Sequence, residues 1–393
     1  MSALNPFSHL GRLWGALRDR FDNLSRLGKV GFAFLAVLFA YALPLLRPPL
    51  ITTNQIDFGG VMLSAAAFAL VAVGLNIVIG YAGLLDLGYV GFYCVGAYTT
   101  GVLTSYHWHW PFFLALPVAI AVTMLTGVIL GAPTLRVRGD YLAIVTLGFG
   151  EIIRLVVTNV EWLGAAAGIK DIPPPSSIGP NPTGPFGDRG LFSIPHLQWD
   201  GLVPSIDNQH KTYFLQFGVL DAIPYYWLAI TALVVVLIGD RLIKTSRIGR
   251  AWEATREDED AAELMGVPTF KYKLMAFALG AAIGGLSGAL FASRQGGYIN
   301  PQSFPLLLSM LFVASVVIGG SGNRWGALFG GVLVAYLPER FRAVNDYRLL
   351  LFGLALMLLV IWRPEGLLPA GRTRRVKQAE AQIEELEEGT ADV

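Results

Sequence analysis

The chain has 393 residues, of which 54% are hydrophobic and 15% are charged, and its formal net charge is +1. Soluble domains carry about 25% charged residues, so this composition excludes an ordinary soluble globular protein and favours lipid as the main solvent. The single cysteine, Cys94, excludes an intramolecular disulfide.

The first 28 residues do not read as a cleavable signal peptide. They contain four arginines and lack a short apolar core that ends in a small-residue cleavage site. We therefore expect residues 1–28 to form a cytoplasmic segment ahead of the first membrane span.

Ten segments are candidates for membrane spans, because crossing the hydrocarbon takes about 20 apolar residues. The predicted spans are 29–46, 59–79, 86–104, 111–131, 141–163, 223–240, 274–293, 304–320, 325–338 and 347–362. Glycine and proline interrupt most of them, which membrane helices tolerate where neighbouring helices satisfy the freed backbone groups. The sequence predicts an all-α, polytopic membrane helix bundle of about ten transmembrane helices, with the transmembrane domain at 29–366.

Lysine and arginine decide the orientation of such a bundle. With ten spans, one side of the membrane holds twenty basic residues and the other side holds eight, leaving out Arg154 inside a span. The side with twenty basic residues includes both termini, so both termini are predicted to be cytoplasmic. An external loop is expected at 165–222, where eight prolines exclude long helices. The segment 367–393 is expected to be a polar cytoplasmic tail.

Small residues recur along two of the predicted spans. Gly280, Gly284 and Gly288 repeat every four residues, and Gly326 and Gly330 do the same in a later span. Missing side chains on one helix face let a neighbouring helix approach closely. The repeats therefore predict a tightly packed bundle.

Three charged residues lie in or beside the predicted spans. Glu151 and Arg154 share a helix face at i, i+3, and each charge near the bilayer centre costs roughly 2.5–3.5 kcal/mol on insertion scales. They form either a structural ion pair or part of a path for a zwitterionic substrate. Asp86 lies in a glycine-dense stretch that indicates an irregular helix. It either lines the path or caps a helix.

Sequence signatures of catalysis are missing. The chain has no GxxxxGK[ST] phosphate loop, no HExxH and no GxSxG. No histidine, cysteine or carboxylate near His107 and His109 has metal-site spacing. The sequence therefore predicts no catalytic residue, no metal site and no cofactor, and hence a protein that is not an enzyme.

A polar insert interrupts the apolar pattern at 243–273. Its central part, Ser246–Val267, reads SRIGRAWEATREDEDAAELMGV. Asp258 is placed to cap a short helix that Gly266 and Pro268 would end, and Ala261, Ala262 and Met265 are expected to form a small apolar face. We interpret the insert as a docking element for a soluble partner rather than an ordinary solvated loop.

Four ordered stretches resemble a known family. They are GRAWEATREDEDAAELMG at 249–266, GYAGLLDLGYVGFYCVGAY at 80–98, LRVRGDYLAIVTLGFGEIIRL at 135–155 and IWRPEGLLP at 361–369. The chain is similar over roughly 57–369 to the LivM-type permease subunits of branched-chain amino acid importers of the ABC class. The resemblance implies that the insert is a coupling loop.

The resemblance assigns ATPase coupling to a set of residues in this loop. They are Gly249, Arg250, Trp252, Glu253, Arg256, Glu257, Asp258, Ala261, Ala262 and Gly266. Two departures from the family pattern stand out. Asp260 occupies a position that is usually apolar, and residues 164–169 read Gly-Ala-Ala-Ala-Gly-Ile where the family often has a Thr-Gly-Gly run followed by Gly-Ile.

The resemblance also implies partners and a location. They are a LivH-like permease subunit, two cytoplasmic ATP-binding subunits and an external substrate-binding protein, in the inner membrane of a bacterium. The substrate would be a branched-chain or related amino acid, and no nucleic acid is expected. The alternatives are a urea or amide permease of the same superfamily and an ion-coupled secondary transporter, which would not need the polar insert.

Overall fold

The computed structural model describes most of the bundle. It covers residues 26–46, 57–105, 107–135, 140–175, 193–200, 203–213, 217, 222–294 and 297–340, with positions 347, 350, 353, 354, 357, 358, 361 and 366–368. The predictions for 1–25, for most of the span 347–362 and for nearly all of the tail 367–393 lie outside the described residues.

Helices dominate the described part of the chain. They are α1 (Arg26–Leu46), α2 (Phe58–Asn76), α3 (Tyr89–Thr104), α4 (Phe112–Thr134), α5 (Asp140–Asn159), α6 (Ala222–Thr245), α7 (Arg247–Glu257), α8 (Glu259–Leu264), α9 (Thr269–Arg294), α10 (Leu306–Gly319) and α11 (Arg324–Arg340). A π-helical turn, Ile77–Tyr81, extends α2, and short 3-10 turns occupy Glu161–Leu163, Ala165–Ala167 and Pro301–Ser303. Two strands, β1 (Ser193–Asp200) and β2 (Val203–Tyr213), complete the list.

Nine of the ten predicted spans coincide with helices in the described residues, namely α1 to α6 and α9 to α11. Within the part of the chain that the structure describes, six helical segments are by themselves long and apolar enough to cross a membrane: Phe58–Tyr81, Phe112–Thr134, Tyr141–Asn159, Ala222–Thr245, Thr269–Arg294 and Pro301–Gly319. The prediction of an all-α membrane bundle is confirmed. The exact number of ten spans remains a prediction.

Several span boundaries differ from the sequence prediction, and α6 runs on to Thr245 and α9 begins at Thr269 where the prediction has 240 and 274. Helix α5 ends at Asn159 rather than at 163, because Val160 takes an extended conformation (φ −84°, ψ 110°) and the chain continues in short 3-10 turns. Helix α3 begins at Tyr89 rather than at 86, because the chain leaves the helical path between Ala82 and Gly88.

The bundle core forms along α9 and α2. Helix α9 packs along both α3 and α4, and α2 packs against α11 and α6. Buried aromatic rings join these helices edge to face, with ring centroids 6.0 Å apart for Phe92 and Phe277 and 6.3 Å apart for Tyr89 and Phe312. This geometry is favourable for aromatic rings beyond the area they bury, so the rings fix α3 between α9 and α10.

The glycine repeats allow the close helix contacts that the sequence predicts. A side chain at Gly288 would overlap the main-chain carbonyl oxygen of Tyr93 on α3, and a side chain at Gly330 would overlap that of Ser315 on α10. Only a hydrogen atom fits at these two positions. The prediction of small-residue packing is confirmed there.

The segment predicted as an external loop contains short turns and a β-hairpin in its described part. Strands β1 and β2 pair in an antiparallel manner along their length, with an irregularity between Pro195 and His196. Prolines exclude a helix but tolerate extended backbone, so the segment takes the conformations that remain. The hairpin departs from the all-α prediction, which holds for the bundle itself.

Main-chain pairing ties the start of this segment to the chain after α9. Ile169 and Ile299 exchange two backbone hydrogen bonds of 2.9 and 3.0 Å. The preceding run turns sharply, since Gly164, Ala165 and Gly168 all have positive φ. The run that departs from the family pattern therefore forms the turn between α5 and this pairing.

Candidate coupling site and membrane polar groups

The docking element, residues 246–267, folds as two capped helices. The Ser246 hydroxyl accepts from the backbone N–H of Ile248 at 3.1 Å and begins α7. The Asp258 carboxylate accepts from the N–H of Ala261 at 2.9 Å and begins α8. Gly266, with a φ of 82°, follows the end of α8. The predicted cap at Asp258 and the predicted stop at Gly266 are confirmed.

Side chains fasten the docking element to the start of α9. Trp252 is fully buried and its indole N–H donates to the carbonyl oxygen of Tyr272 at 2.7 Å. The Lys273 ammonium lies 2.5 Å from a Glu259 carboxylate oxygen. The Thr269 hydroxyl donates to Glu263 at 2.5 Å. Three polar contacts, one of them from a buried indole, therefore hold α7 and α8 on α9.

The outer surface of the docking element is apolar at its tip. Leu264 is 89% exposed and Met265 is 85% exposed, and Ala261 is exposed beside them. Ala262 is only 6% exposed. The prediction that Ala261 and Ala262 share an outward face is wrong at Ala262, because neighbouring helical positions point about 100° apart and Ala262 packs onto its own chain.

The ten predicted coupling residues divide into buried and exposed positions. Gly249, Trp252 and Ala262 are buried, and the other seven are exposed: Arg250, Glu253, Arg256, Glu257, Asp258, Ala261 and Gly266. Asp260, where the family pattern is usually apolar, is exposed as well. The three buried residues pack inside the element, and the other seven lie on its surface.

Asp86 lies in the irregular segment between α2 and α3. It is fully buried, and its Oδ1 accepts from the N–H of Gly88 at 2.9 Å. Gly88, not Asp86, is the N-cap of α3. The same segment is held by the Thr146 hydroxyl, which accepts from Leu87 N–H at 3.0 Å, and by the Ser309 hydroxyl, which donates to the Leu87 carbonyl at 2.6 Å. The predicted helix irregularity is confirmed at this place.

Glu151 and Arg154 form the ion pair that their spacing predicts. The Arg154 Nε lies 3.1 and 3.0 Å from the two Glu151 carboxylate oxygens, and Nη2 donates to Oε1. The Arg154 and Glu151 side chains are 34% and 39% exposed, and they share α5 with the exposed side chains of Ile152 and Leu155. The pair therefore lies towards the outside of this single chain rather than inside its bundle.

Comparison with known proteins shows the family of this chain. Residues 58–361 match the sequence profile of the family described as branched-chain amino acid transport system / permease component. The chain belongs to this family. The permease also matches curated relatives from several bacteria, whereas no solved structure matches it.

The relatives include both kinds of permease subunit. The LivM permease protein of Salmonella typhimurium is 39% identical over 81% of this chain and 72% of the relative, and that of Escherichia coli K12 is 39% identical over 78% and 68%. The LivH permease protein of Salmonella typhimurium is 27% identical over 78% of this chain and 95% of the relative. The permease is thus similar to LivM and, more distantly, to LivH.

Sequence reasoning missed a buried polar cluster in the permease. Asp240, near the end of α6, has a side chain with no exposed surface. Its Oδ2 accepts from the Tyr81 hydroxyl at 3.1 Å and lies 3.7 Å from the Arg324 guanidinium. The available signal was an acidic residue inside a predicted span, four residues before Lys244.

Lys244 also belongs to this cluster. Its ammonium donates to the Gly322 carbonyl at 2.9 Å and lies 4.7 Å from the centre of the Tyr81 ring. The Gly322 N–H in turn donates to the Asn76 side chain at 2.8 Å. We call Tyr81, Asp240, Lys244, Gly322 and Arg324 the polar clasp. It joins the π-helical end of α2, the end of α6 and the start of α11.

One side chain of the docking element contacts the π-helical turn beside the polar clasp. The Arg256 guanidinium, on α7, donates to the carbonyl oxygen of Gly80 in the π-helical turn. The aliphatic part of Arg256 covers Gly83, whose φ is 72°. Within the described residues, no group of three or more His, Cys, Asp and Glu could hold a metal ion.

Proposed function

We propose that the permease carries branched-chain amino acids across the inner membrane as one of two membrane subunits of an ATP-driven importer. The proposal rests on membership of the permease family and on a docking element that presents an apolar tip. The partners in this proposal are a LivH-like permease subunit, two cytoplasmic ATP-binding subunits and an external substrate-binding protein. ATP is hydrolysed by the partners, and the permease itself has no catalytic role.

The tip of the docking element is the proposed seat of an ATP-binding subunit. Leu264 and Met265 hold large apolar side chains almost fully in water, a loss of stability unless another surface covers them. Helix α8 has only six residues, too few to be stable alone. Its ties to α9 therefore keep the tip in place before the partner arrives.

The outer face of α5 is the proposed side towards the LivH-like subunit. A charged pair facing lipid is unfavourable by roughly 2.5–3.5 kcal/mol per residue near the bilayer centre. A second subunit or a wet path between the subunits removes that cost. Glu151 and Arg154 would then meet a zwitterionic substrate with both signs of charge, while Asp86 belongs to the segment that borders α5 through Thr146.

Uptake by the full complex tests this function. Vesicles that contain the permease, the LivH-like subunit, both ATP-binding subunits and the binding protein should accumulate labelled leucine only when ATP is supplied. Unlabelled isoleucine and valine should compete, and urea should not. Uptake driven by an ion gradient without ATP would instead identify a secondary transporter, and competition by urea would identify an amide permease.

A substitution at the tip tests the docking surface. Leu264→Asp places a carboxylate in a contact that is apolar, and central apolar contacts contribute about 2 kcal/mol or more to protein association. We expect co-purified ATP-binding subunits to fall more than about tenfold, with normal insertion of the permease. Leu264→Met keeps the apolar volume and is the matched control. Retention of the ATP-binding subunits by Leu264→Asp would place the docking surface elsewhere.

A further inference from the structure

We propose that the polar clasp is the connection through which the docking element holds and moves the ends of α2 and α11, with Tyr81 and Asp240 as positioning residues. This inference rests on the proposed function, because it explains how closure of the ATP-binding subunits reaches the membrane helices. Neither residue touches ATP or substrate in this proposal. Their role is to keep separate helix ends in one unit.

Chain connectivity places one half of the clasp directly before the docking element. Helix α6 carries Asp240 and Lys244 in its last turns and ends at Thr245, and after Ser246 the chain enters α7 at once. A displacement of the docking element is therefore passed to Asp240 and Lys244 without a flexible linker.

The other half of the clasp comes from two different segments. Tyr81 ends the π-helical turn after α2, Arg324 begins α11, and Gly322 lies in the turn just before α11. The halves meet through side chains: the Tyr81 hydroxyl and the Arg324 guanidinium both contact Asp240, and Lys244 contacts the Gly322 carbonyl and the Tyr81 ring. Arg256 adds a direct tie from α7 to Gly80.

Burial makes the ties to Asp240 stronger than surface contacts of the same kind. The Asp240 side chain is fully covered, so a carboxylate that lost its partners there would be left without compensation for its lost hydration. The helix ends are therefore expected to move with Asp240 rather than slide past it. The contact between Tyr81 and Asp240 also bears on Asp86, because the turn that ends at Tyr81 leads directly into the irregular segment that contains Asp86.

Two tyrosines offer a matched test. Tyr81→Phe removes one hydroxyl that donates to Asp240. Tyr98→Phe removes a hydroxyl that is equally buried on α3 but makes no hydrogen bond within the described residues. Each variant, together with Asp240→Asn, is assembled with all partners in vesicles, and ATP hydrolysis and leucine uptake are measured in the same sample.

We expect Tyr81→Phe and Asp240→Asn to retain the ATP-binding subunits and to hydrolyse ATP, but to carry at least about fivefold less leucine per ATP, the lower end of typical coupling between sites. Tyr98→Phe should match the wild type. A wild-type ratio in Tyr81→Phe would overturn the inference, even if Asp240→Asn failed to fold. If the wild-type complex itself showed no ATP-driven uptake, the proposed function would fail, which is a different result.

Discussion

The ion pair between Glu151 and Arg154 is bidentate within one helix and stands among exposed apolar side chains. Each member neutralises the other at i, i+3 on α5, so the helix can be inserted with less penalty than two separate charges would bring. In the proposed function the pair also meets a substrate that offers an ammonium and a carboxylate. Stability and transport therefore make different demands on the same two residues.

Single and double substitutions separate these demands. Arg154→Ala leaves the Glu151 carboxylate unpaired and is expected to lower the yield of folded permease, with a cost of up to about 3 kcal/mol. The double variant with Glu151→Ala should recover part of that yield, because no lone charge remains. Folded yield is measured by size-exclusion chromatography in detergent.

The losses of folded yield in the single and double variants show whether the two residues pair. Strictly additive losses from the two single variants would contradict the pairing. Normal yield combined with lost leucine uptake would assign the pair to the path alone.

At the level of residues, sequence reasoning succeeded where a local rule applied. Asp258 and Gly266 follow the capping and stop rules of short helices, and Glu151 and Arg154 follow helical spacing. Ala262 and Asp240 depend on which neighbours cover them, and such contacts join segments far apart in the chain. The clasp was therefore not predictable, since its members lie at 81, 240, 244, 322 and 324.

Among the elements, α9 depends on the absence of side chains at its glycines. Gly288 lies against the main chain of α3, where the obstacle is a carbonyl group that cannot rotate away. Overpacking by a methyl group in a core typically costs about 1–3 kcal/mol. A main-chain obstacle places the expected cost at the upper end of this range.

We accordingly expect Gly288→Ala to lower the thermal midpoint of the permease in detergent and to reduce its folded yield. The matched control is Gly239→Ala on α6, where a methyl group meets nothing within 4 Å. The control should be neutral or slightly stabilising, because alanine favours the helix more than glycine does. Equal midpoints for the two variants would show that α9 and α3 can separate without loss.

The elements themselves were largely predictable, and their ends were less so. Apolar runs of about 20 residues determine where a helix crosses lipid, and nine predicted spans coincide with helices. The π-helical turn Ile77–Tyr81 and the hairpin of β1 and β2 were not predicted. Both depend on backbone hydrogen bonds that composition does not reveal.

For the whole molecule, orientation is the main prediction that basic residues support. The excess of twenty over eight places both termini in the cytoplasm if the chain crosses ten times. The two short spans, 325–338 and 347–362, matter most, because the basic C-terminal segment would be exported if either of them failed to cross.

Two reporter fusions test this arrangement. A reporter that is active only in the cytoplasm should work when fused after Val393 and should be inactive when it replaces the chain after Asn345. The pair of fusions differs by one predicted span, so the activities should be opposite. Activity in both positions, or in neither, would contradict the ten-span arrangement.

The π-helical turn has a consequence for how the chain can vary in length. A π-helical turn holds one more residue than an α-helical turn in the same place. The direction of the Tyr81 side chain therefore depends on that extra residue. Wound as a regular α-helix, the same stretch would be out of phase by one position, about 100°, and the phenol would point away from Asp240. Loss of one residue from this turn, rather than a change of any particular side chain, would therefore turn Tyr81 away from Asp240, so the length of the chain between α2 and the polar clasp is constrained.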